Sequence, residues 1–390
     1  MDAQQCRAAP MTPRERWLAT AEFRAVDRAF LLPPWTWAET RQRWAAEGLP
    51  TTTDLPRHFR TDREDEMPVA MQGKYGPHLL PALARTVLSQ DNDHWVIRDE
   101  EGNTVKLFKN DPLQSMPQWI AYPMKNRADW EAIVKPRLDP HAPGRAPHGA
   151  ELAAYAKQVQ RQVPLGVWCG SMYGWPRSLM GVEQISYLFY DDPGLIHEMC
   201  EHITDFVIKT LEPVLRAVPC DFAYFWEDMA GKAGPLCSPD TYREFMLPRI
   251  KRIVDFMHGH GVRHIIVDSD GNNEPLIPLW LEIGVNGLRP FEIAAGCDPL
   301  ATRKKYGRDL IIQGGIDKRA LAAGRDAIDR EVLSKVPWLC MQGGYFPQVD
   351  HLVPPDVPLE NYTYYSDLLR QVVEDPERFY YQARQRGWAQ

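Results

Sequence analysis

The amino-acid sequence predicts an α/β protein whose regular part is a (β/α)8 TIM barrel, preceded by an N-terminal extension of helices and a β-hairpin. From about residue 151 onward, short apolar runs of strand character alternate with amphipathic helical stretches, which means parallel βαβ units that close as a barrel or spread as a doubly wound sheet. No early strand leads into a G-x-G-x-x-G or G-x-x-x-x-G-K-[ST] turn, the fingerprints of the two commonest nucleotide-binding open sheets, and this favours the barrel. A length of 390 residues suits one barrel with insertions. Residues 1–390 are therefore expected to be a single domain, with 1–150 as the extension and 151–390 as the β/α units.

The extension opens at Thr12, where a Thr cap, Pro13 at the first helical position and Glu15 at the third predict a helix to about Phe23. A second helix over about 38–47 stops at Gly48 and Pro50. Between them, Leu32-Pro33-Pro34-Trp35-Thr36-Trp37 is either a buried connector or, through Trp35 and Trp37, a wall against a substrate. HWVIRD and TVKLFK flank a turn at Gly102 and predict a hairpin. The Pro- and Gly-rich stretch 137–150 reads as a long surface connection.

The repeating part begins with a helix over 150–163 and the strand PLGVWCG. VEQISYLFY follows as a helix, and after Asp191-Asp192-Pro193-Gly194 a longer one runs to about Val214. Next come the strand FAYFWED, one helix over 240–261, the strand HIIVDSD, a helix near 275–283 and the strand GLRPFE. LATRKKYG is helical, DLIIQGG a strand, KRALAAG and AIDREVLSKV helical, and WLCMQGG the last strand. At least six β/α units result.

Net charge is -7, with Lys and Arg interspersed among Asp and Glu, so the basic stripe that nucleic acid requires is missing. No apolar run approaches the roughly 18 residues that cross a bilayer, and the first residues lack the apolar core of a signal peptide. A cytoplasmic protein is expected. Seven scattered cysteines without a C-x-x-C pair argue against a disulfide framework or zinc ribbon and for reduced thiols.

In parallel α/β folds chemistry gathers where strands end. Glu227 and Asp228 close FAYFWED; adjacent strand residues face opposite sides, so one looks inward as an acid, base or ligand while the other caps the next loop. Asp268 and Asp270 close HIIVDSD two apart, on one face while the chain stays extended. Two such carboxylates must share a proton, meet a cation or bind a donor-rich substrate. Asn272 follows them as a substrate contact. Gln313-Gly314-Gly315 joins a strand to a helix, where glycine N–H groups could approach an anion, or where the turn is merely tight with Asp317 as its cap. Tyr345, Gln348, Asp350 and His351 are expected in the loop after the last strand, His351 as acid–base group or ligand. Ser171, Tyr173 and Trp175 suit a flat or apolar ligand, or pack as a lid.

These features resemble the uroporphyrinogen decarboxylase superfamily, which includes corrinoid-linked methyltransferases. The resemblance rests on TPRERWLATAEFRAVDR, FWEDMAGKAGPLCSPDTYREFMLPRIKRI, VDSDGN, IIQGGIDKRAL and DHLVPPDVPLENYTYY. It implies the barrel and a small-molecule substrate. The decarboxylases' Arg-Gln-Ala-Gly-Arg segment is replaced here by LLPPWTWAET. The zinc methyltransferases' His-x-Cys-Gly-Asn segment and later Cys match Asp268-Ser269-Asp270-Gly271-Asn272 and the region of Tyr345, without a thiolate at either place.

Carboxylates in place of soft ligands suit a harder divalent cation, or zinc with nitrogen's help, so Asp268, Asp270, Glu227 and His351 are the metal ligands expected if one is bound. No Asp-x-His-x-x-Gly motif is present, so a corrinoid would arrive on a separate partner protein. The leading expectation is methyl or one-carbon transfer to or from a small substrate, with Trp35, Trp37, Ser171, Tyr173, Trp175, Asn272, Gln313 and Tyr345 around it. The alternatives are a decarboxylase or lyase in which Tyr173 or His351 delivers a proton, and a non-catalytic ligand-binding barrel.

Overall fold

The structure, a computed structural model, describes residues 10–110, 116–158 and 160–389. Its strands are β1 (Asp65–Glu66), β2 (Thr86–Gln90), β3 (His94–Arg98), β4 (Thr104–Phe108), β5 (Gln118–Ala121), β6 (Leu165–Trp168), β7 (Phe222–Trp226), β8 (Ala230–Gly231), β9 (Gly234–Pro235), β10 (His264–Asp268), β11 (Gly287–Arg289), β12 (Ile311–Ile316) and β13 (Tyr345–Val349). The chain divides into two compact units: unit I holds residues 1–65, 161–165 and 286–390, and unit II holds 66–160 and 166–285.

In unit II the expected hairpin is β3–β4, in register from His94 opposite Phe108 to Arg98 opposite Thr104, and β2 and β5 extend it to a four-stranded antiparallel sheet. β6, β7 and β10 pair in parallel, with Phe222 beside both Gly166 and His264. β7 and β10 are apolar and buried along nearly their whole length, as parallel strands covered on both faces must be. The helices Val182–Asp191 and Pro193–Ala217 follow β6 and each bury an apolar face, the latter capped by Asp192, which accepts from the Leu195 N–H.

The single helix expected over 240–261 is two, Pro239–Phe245 and Leu247–Gly259. Pro248 has no N–H for the Glu244 carbonyl, and the break falls at Met246. Arg249 Nη1 takes that carbonyl instead, at 3.3 Å. The helix expected over 150–163 covers only Gly149–Ala156.

Unit I carries the first helix, Pro13–Ala21, with the expected capping box: Thr12 Oγ1 accepts from the Glu15 N–H, and Glu15 Oε2 accepts from the Thr12 N–H at 2.8 Å. Its Arg16 is buried against Asp27 and Asp62, and Arg28 also grips Asp62. The second helix is Ala38–Ala46. β11, β12 and β13 pair in parallel.

The run WLCMQGG is not a strand. It ends the helix Arg325–Gln342, whose Ile328, Val332, Val336 and Leu339 recur at helical spacing and are buried. The last strand is instead β13, so Tyr345 opens a strand and does not belong to the loop after one. Among the described residues no helix is long and apolar enough to cross a membrane, and the six described cysteines are free thiols.

Candidate functional site

In unit II the C-terminal ends of β6, β7 and β10 are joined by one buried carboxylate. Glu227, with no exposed surface, accepts from the Met172 N–H at 2.8 Å and the Tyr173 N–H at 3.0 Å, while its own N–H donates to the Asp268 carbonyl at 2.9 Å. Burial pushes the Glu227 carboxyl up to about 7, outweighing the two N–H donors and Arg177. Gly174 lies so close that a Cβ there would sit 2.7 Å from the Glu227 carbonyl oxygen, and so only glycine lets this helix start reach the strand end.

The neighbouring carboxylate diverges, but both residues lie past β7, which ends at Trp226, so strand alternation does not set their directions. Asp228 sits in left-handed backbone (φ 39°) and accepts from Arg177 Nη2 at 2.6 Å. Arg177 also lies over the Trp226 ring, 5.5 Å from its centre.

Tyr173 is fully buried, and its hydroxyl has no hydrogen-bond partner among the described residues. Burial first, and then the nearby Cys237, push the Tyr173 phenol up. Burial and Glu227 in turn push the Cys237 thiol up to about 12. Burial thus pushes all three groups upward beside the Arg177–Asp228 pair. Ser171 Oγ accepts from the Trp175 N–H at 3.3 Å, and the buried Trp175 indole donates to Gln72 Oε1 at 2.8 Å.

Asp268 is the buried last residue of β10, but Asp270 lies beyond the strand. The loop between them turns around Asn273, whose amide donates to the carbonyls of Ser269, Asp270 and Gly271. The two-residue spacing that would put both carboxylates on one strand face therefore does not apply. Asn272 donates its N–H to the Gly231 carbonyl, and its side chain accepts from the Glu274 N–H.

In unit I the ends of β11, β12 and β13 are joined in the same manner by Asp350, also wholly buried. It accepts from the Ile293 N–H at 2.8 Å and the Lys318 N–H at 3.1 Å, with the Lys318 ammonium 3.5 Å away and shared with Glu292. Trp35 faces His351, with ring centres 6.1 Å apart, and Arg289 lies 5.5 Å from the Trp35 ring centre. Trp37 precedes its helix and donates its N–H to the Val353 carbonyl.

Gln313 is buried within β12, and the Tyr345 hydroxyl donates to the Gly314 carbonyl. Gly314 and Gly315 are thus strand residues, not a ligand turn. A Cβ on Gly314 would meet the Pro290 oxygen at 2.0 Å, and the Gly315 N–H is bonded to that same oxygen. Asp317 does cap the next helix, accepting from the Arg319 N–H.

Sequence reasoning passed over Arg177, Cys237, Lys318 and Glu292. Only Cys237 carried a signal, lying inside the PLCSPD stretch between two strand ends. Among the described residues, no three His, Cys, Asp or Glu side chains are disposed to hold a metal ion, and both Glu227 oxygens are engaged by N–H groups. The expected ligand set does not fit a metal as it stands.

The model of the family described as uroporphyrinogen decarboxylase (URO-D) matches residues 109–372. Relatives named uroporphyrinogen decarboxylase include those of Serratia proteamaculans (26% identical over 61% of this chain and 67% of that protein), Photobacterium profundum (25%, over 55% and 61%) and Actinobacillus pleuropneumoniae (23%, over 65% and 70%). A solved methyltransferase from Methanosarcina mazei shares the fold, with TM-score 0.55 and 15% identity over 93% of this chain and 98% of that one. With more than half of its length matched by the family model, the chain belongs to the uroporphyrinogen decarboxylase family.

Proposed function

We propose that the chain is a single (β/α)8-barrel enzyme that decarboxylates a small carboxylic acid, using the strand ends of unit II to hold and deliver a proton. The observation that carries this reading is the fully buried Tyr173 hydroxyl, without a hydrogen-bond partner among the described residues, on the residue whose backbone N–H donates to a Glu227 carboxyl that burial pushes up to about 7. A proton holder near neutrality is what general acid catalysis at neutral pH asks for. In this scheme the bond between the substrate carbon and its carboxylate breaks, the electron pair stays on carbon, and carbon dioxide leaves. The Tyr173 proton, replaced from Glu227, closes the carbon. The family's name supports the reaction class.

Methyl or one-carbon transfer, with a corrinoid protein as partner, is the second reading. Its support is the fold shared with a protein named as a methyltransferase. The two separate in one experiment, a screen of small carboxylic acids for carbon dioxide release by the wild type and by Tyr173→Phe. Release that falls about 10²-fold or more in the variant is expected. Absence of release from every acid, together with methyl transfer from a supplied methyl-corrinoid, would replace the first reading by the second.

A further inference from the structure

Unit I holds a cleft of about 470 Å³ lined by Arg28, Arg57, Arg60, Arg63 and Arg370, five guanidiniums around one depression in a chain of net charge -7. Thr61 and Arg63, also in its lining, lead into β1, and Val163 leads into β6, so the cleft lies where strands begin. In barrels that end carries stability, while chemistry gathers at the other. Nothing at the strand ends that hold Glu227 and Asp350 calls for it.

Internal pairing accounts for part of this charge. Arg28 is bound at 2.6 and 2.8 Å to Asp62, which is buried and also serves Arg16. Arg370 donates to the Arg60 carbonyl at 2.7 Å and pairs with Glu374 at 3.0 Å. The remaining three are differently placed. Arg60 pairs with Asp367 and Arg63 with Asp54, but all four side chains are 42 to 61% exposed, and ion pairs that open to water exchange partners readily. Arg57 is exposed, and its guanidinium has no ion pair or hydrogen bond among the described residues. The Thr61 hydroxyl, shielded from solvent, likewise has no partner among them.

We propose that this cleft binds the diphosphate or triphosphate group of a small metabolite. Each guanidinium is a planar fork that takes two oxygens of a phosphate at once, and a diphosphate is a compact ion with enough oxygens for the forks of Arg57, Arg60 and Arg63 together. The Thr61 hydroxyl supplies a further donor. Pro13, Pro56 and Val163 give the rest of the molecule an apolar surface to lie on.

The test is calorimetric titration of the full chain with inorganic pyrophosphate, ADP and citrate at roughly 50 and 200 mM salt. One equivalent of pyrophosphate and of ADP is expected to bind, more weakly at the higher salt. Citrate, of similar charge but without phosphorus, binds at least about tenfold more weakly, as does pyrophosphate to the double variant Arg57→Glu, Arg63→Glu at an unchanged melting temperature. Should the double variant melt early, Arg57→Gln, which removes a guanidinium holding no internal partner, takes its place with the same expected direction. Silence toward pyrophosphate, equal binding of citrate, or undiminished binding by the variants would overturn the proposal.

Discussion

Replacing Glu227 by glutamine separates the proton-carrying role proposed for this carboxyl from its tying of strand ends. In the folded chain it titrates near 7, against an ordinary value of 4.5. Below 4.5 it is protonated whether the chain is folded or not, so it takes nothing from stability. As the pH rises from 4.5 to 7 the unfolded chain releases this proton and the folded chain keeps it, so stability falls. Above 7 the loss levels off at about 3 kcal/mol. Glutamine does not titrate and escapes that loss, but its amide nitrogen must face one of the two N–H groups of Met172 and Tyr173, at a cost of about 1–3 kcal/mol. Urea unfolding of both proteins at about pH 4.5 and pH 8 is then expected to show Glu227→Gln less stable in acid and close to, or above, the wild type in base. A stability difference that stays constant across that range within about 0.5 kcal/mol would mean that Glu227 titrates like an ordinary carboxylate, and the proton-holding role would go with it.

Two further outcomes test the local geometry. Gly314→Ala places a methyl group 2.0 Å from the Pro290 oxygen on backbone at φ 99°, so a loss of about 3 kcal/mol or more is expected in thermal melts, and a shift under about 1 kcal/mol would show that β11 and β12 have room to part. Asp350→Ala strips the Ile293 and Lys318 N–H groups of their acceptor and leaves the Lys318 ammonium with Glu292 alone, at an expected cost of about 3–5 kcal/mol; hydrogen exchange at Ile293 and Lys318 should quicken, and unchanged exchange there would refute the tie.

What could be read from the sequence follows the range of the interactions involved. The first helix was legible to the residue because Thr12, Pro13 and Glu15 act within one turn. The hairpin β3–β4 was legible for the same reason, as was the alternation that yields six parallel strands. WLCMQGG was misread because a short apolar run satisfies either period, and the deciding partners Ile328 and Val332 lie two turns upstream. The Asp268–Asp270 pair was misread because strand spacing was carried past the point where Asn273 draws the loop around itself. Arg177 and Cys237 stayed hidden since their significance comes only from Glu227 and Asp228, some fifty and ten residues away in the chain.

Glu227 and Asp350 solve one problem in two units, and the difference between the solutions bears on the roles proposed for them. Where parallel strands end, the following loops turn N–H groups inward that no ladder satisfies, and a carboxylate, with two acceptor oxygens, can accept from two of them at once. Glu227 does so between β6 and β7, and Asp350 does so across β11, β12 and β13. Burial pushes both carboxyls upward. Asp350, however, has the Lys318 ammonium at 3.5 Å to favour its charged form, whereas the guanidinium of Arg177 is spent on Asp228. A buried carboxylate with its own cation has its charged form favoured and works as a tie. One whose nearest cation belongs to a neighbour is pushed up toward neutrality, which is what the proposed proton delivery asks of Glu227. For this reason removal of Asp350 should act on activity only through stability, while Glu227→Gln should abolish proton delivery even under conditions where the chain is as stable as the wild type.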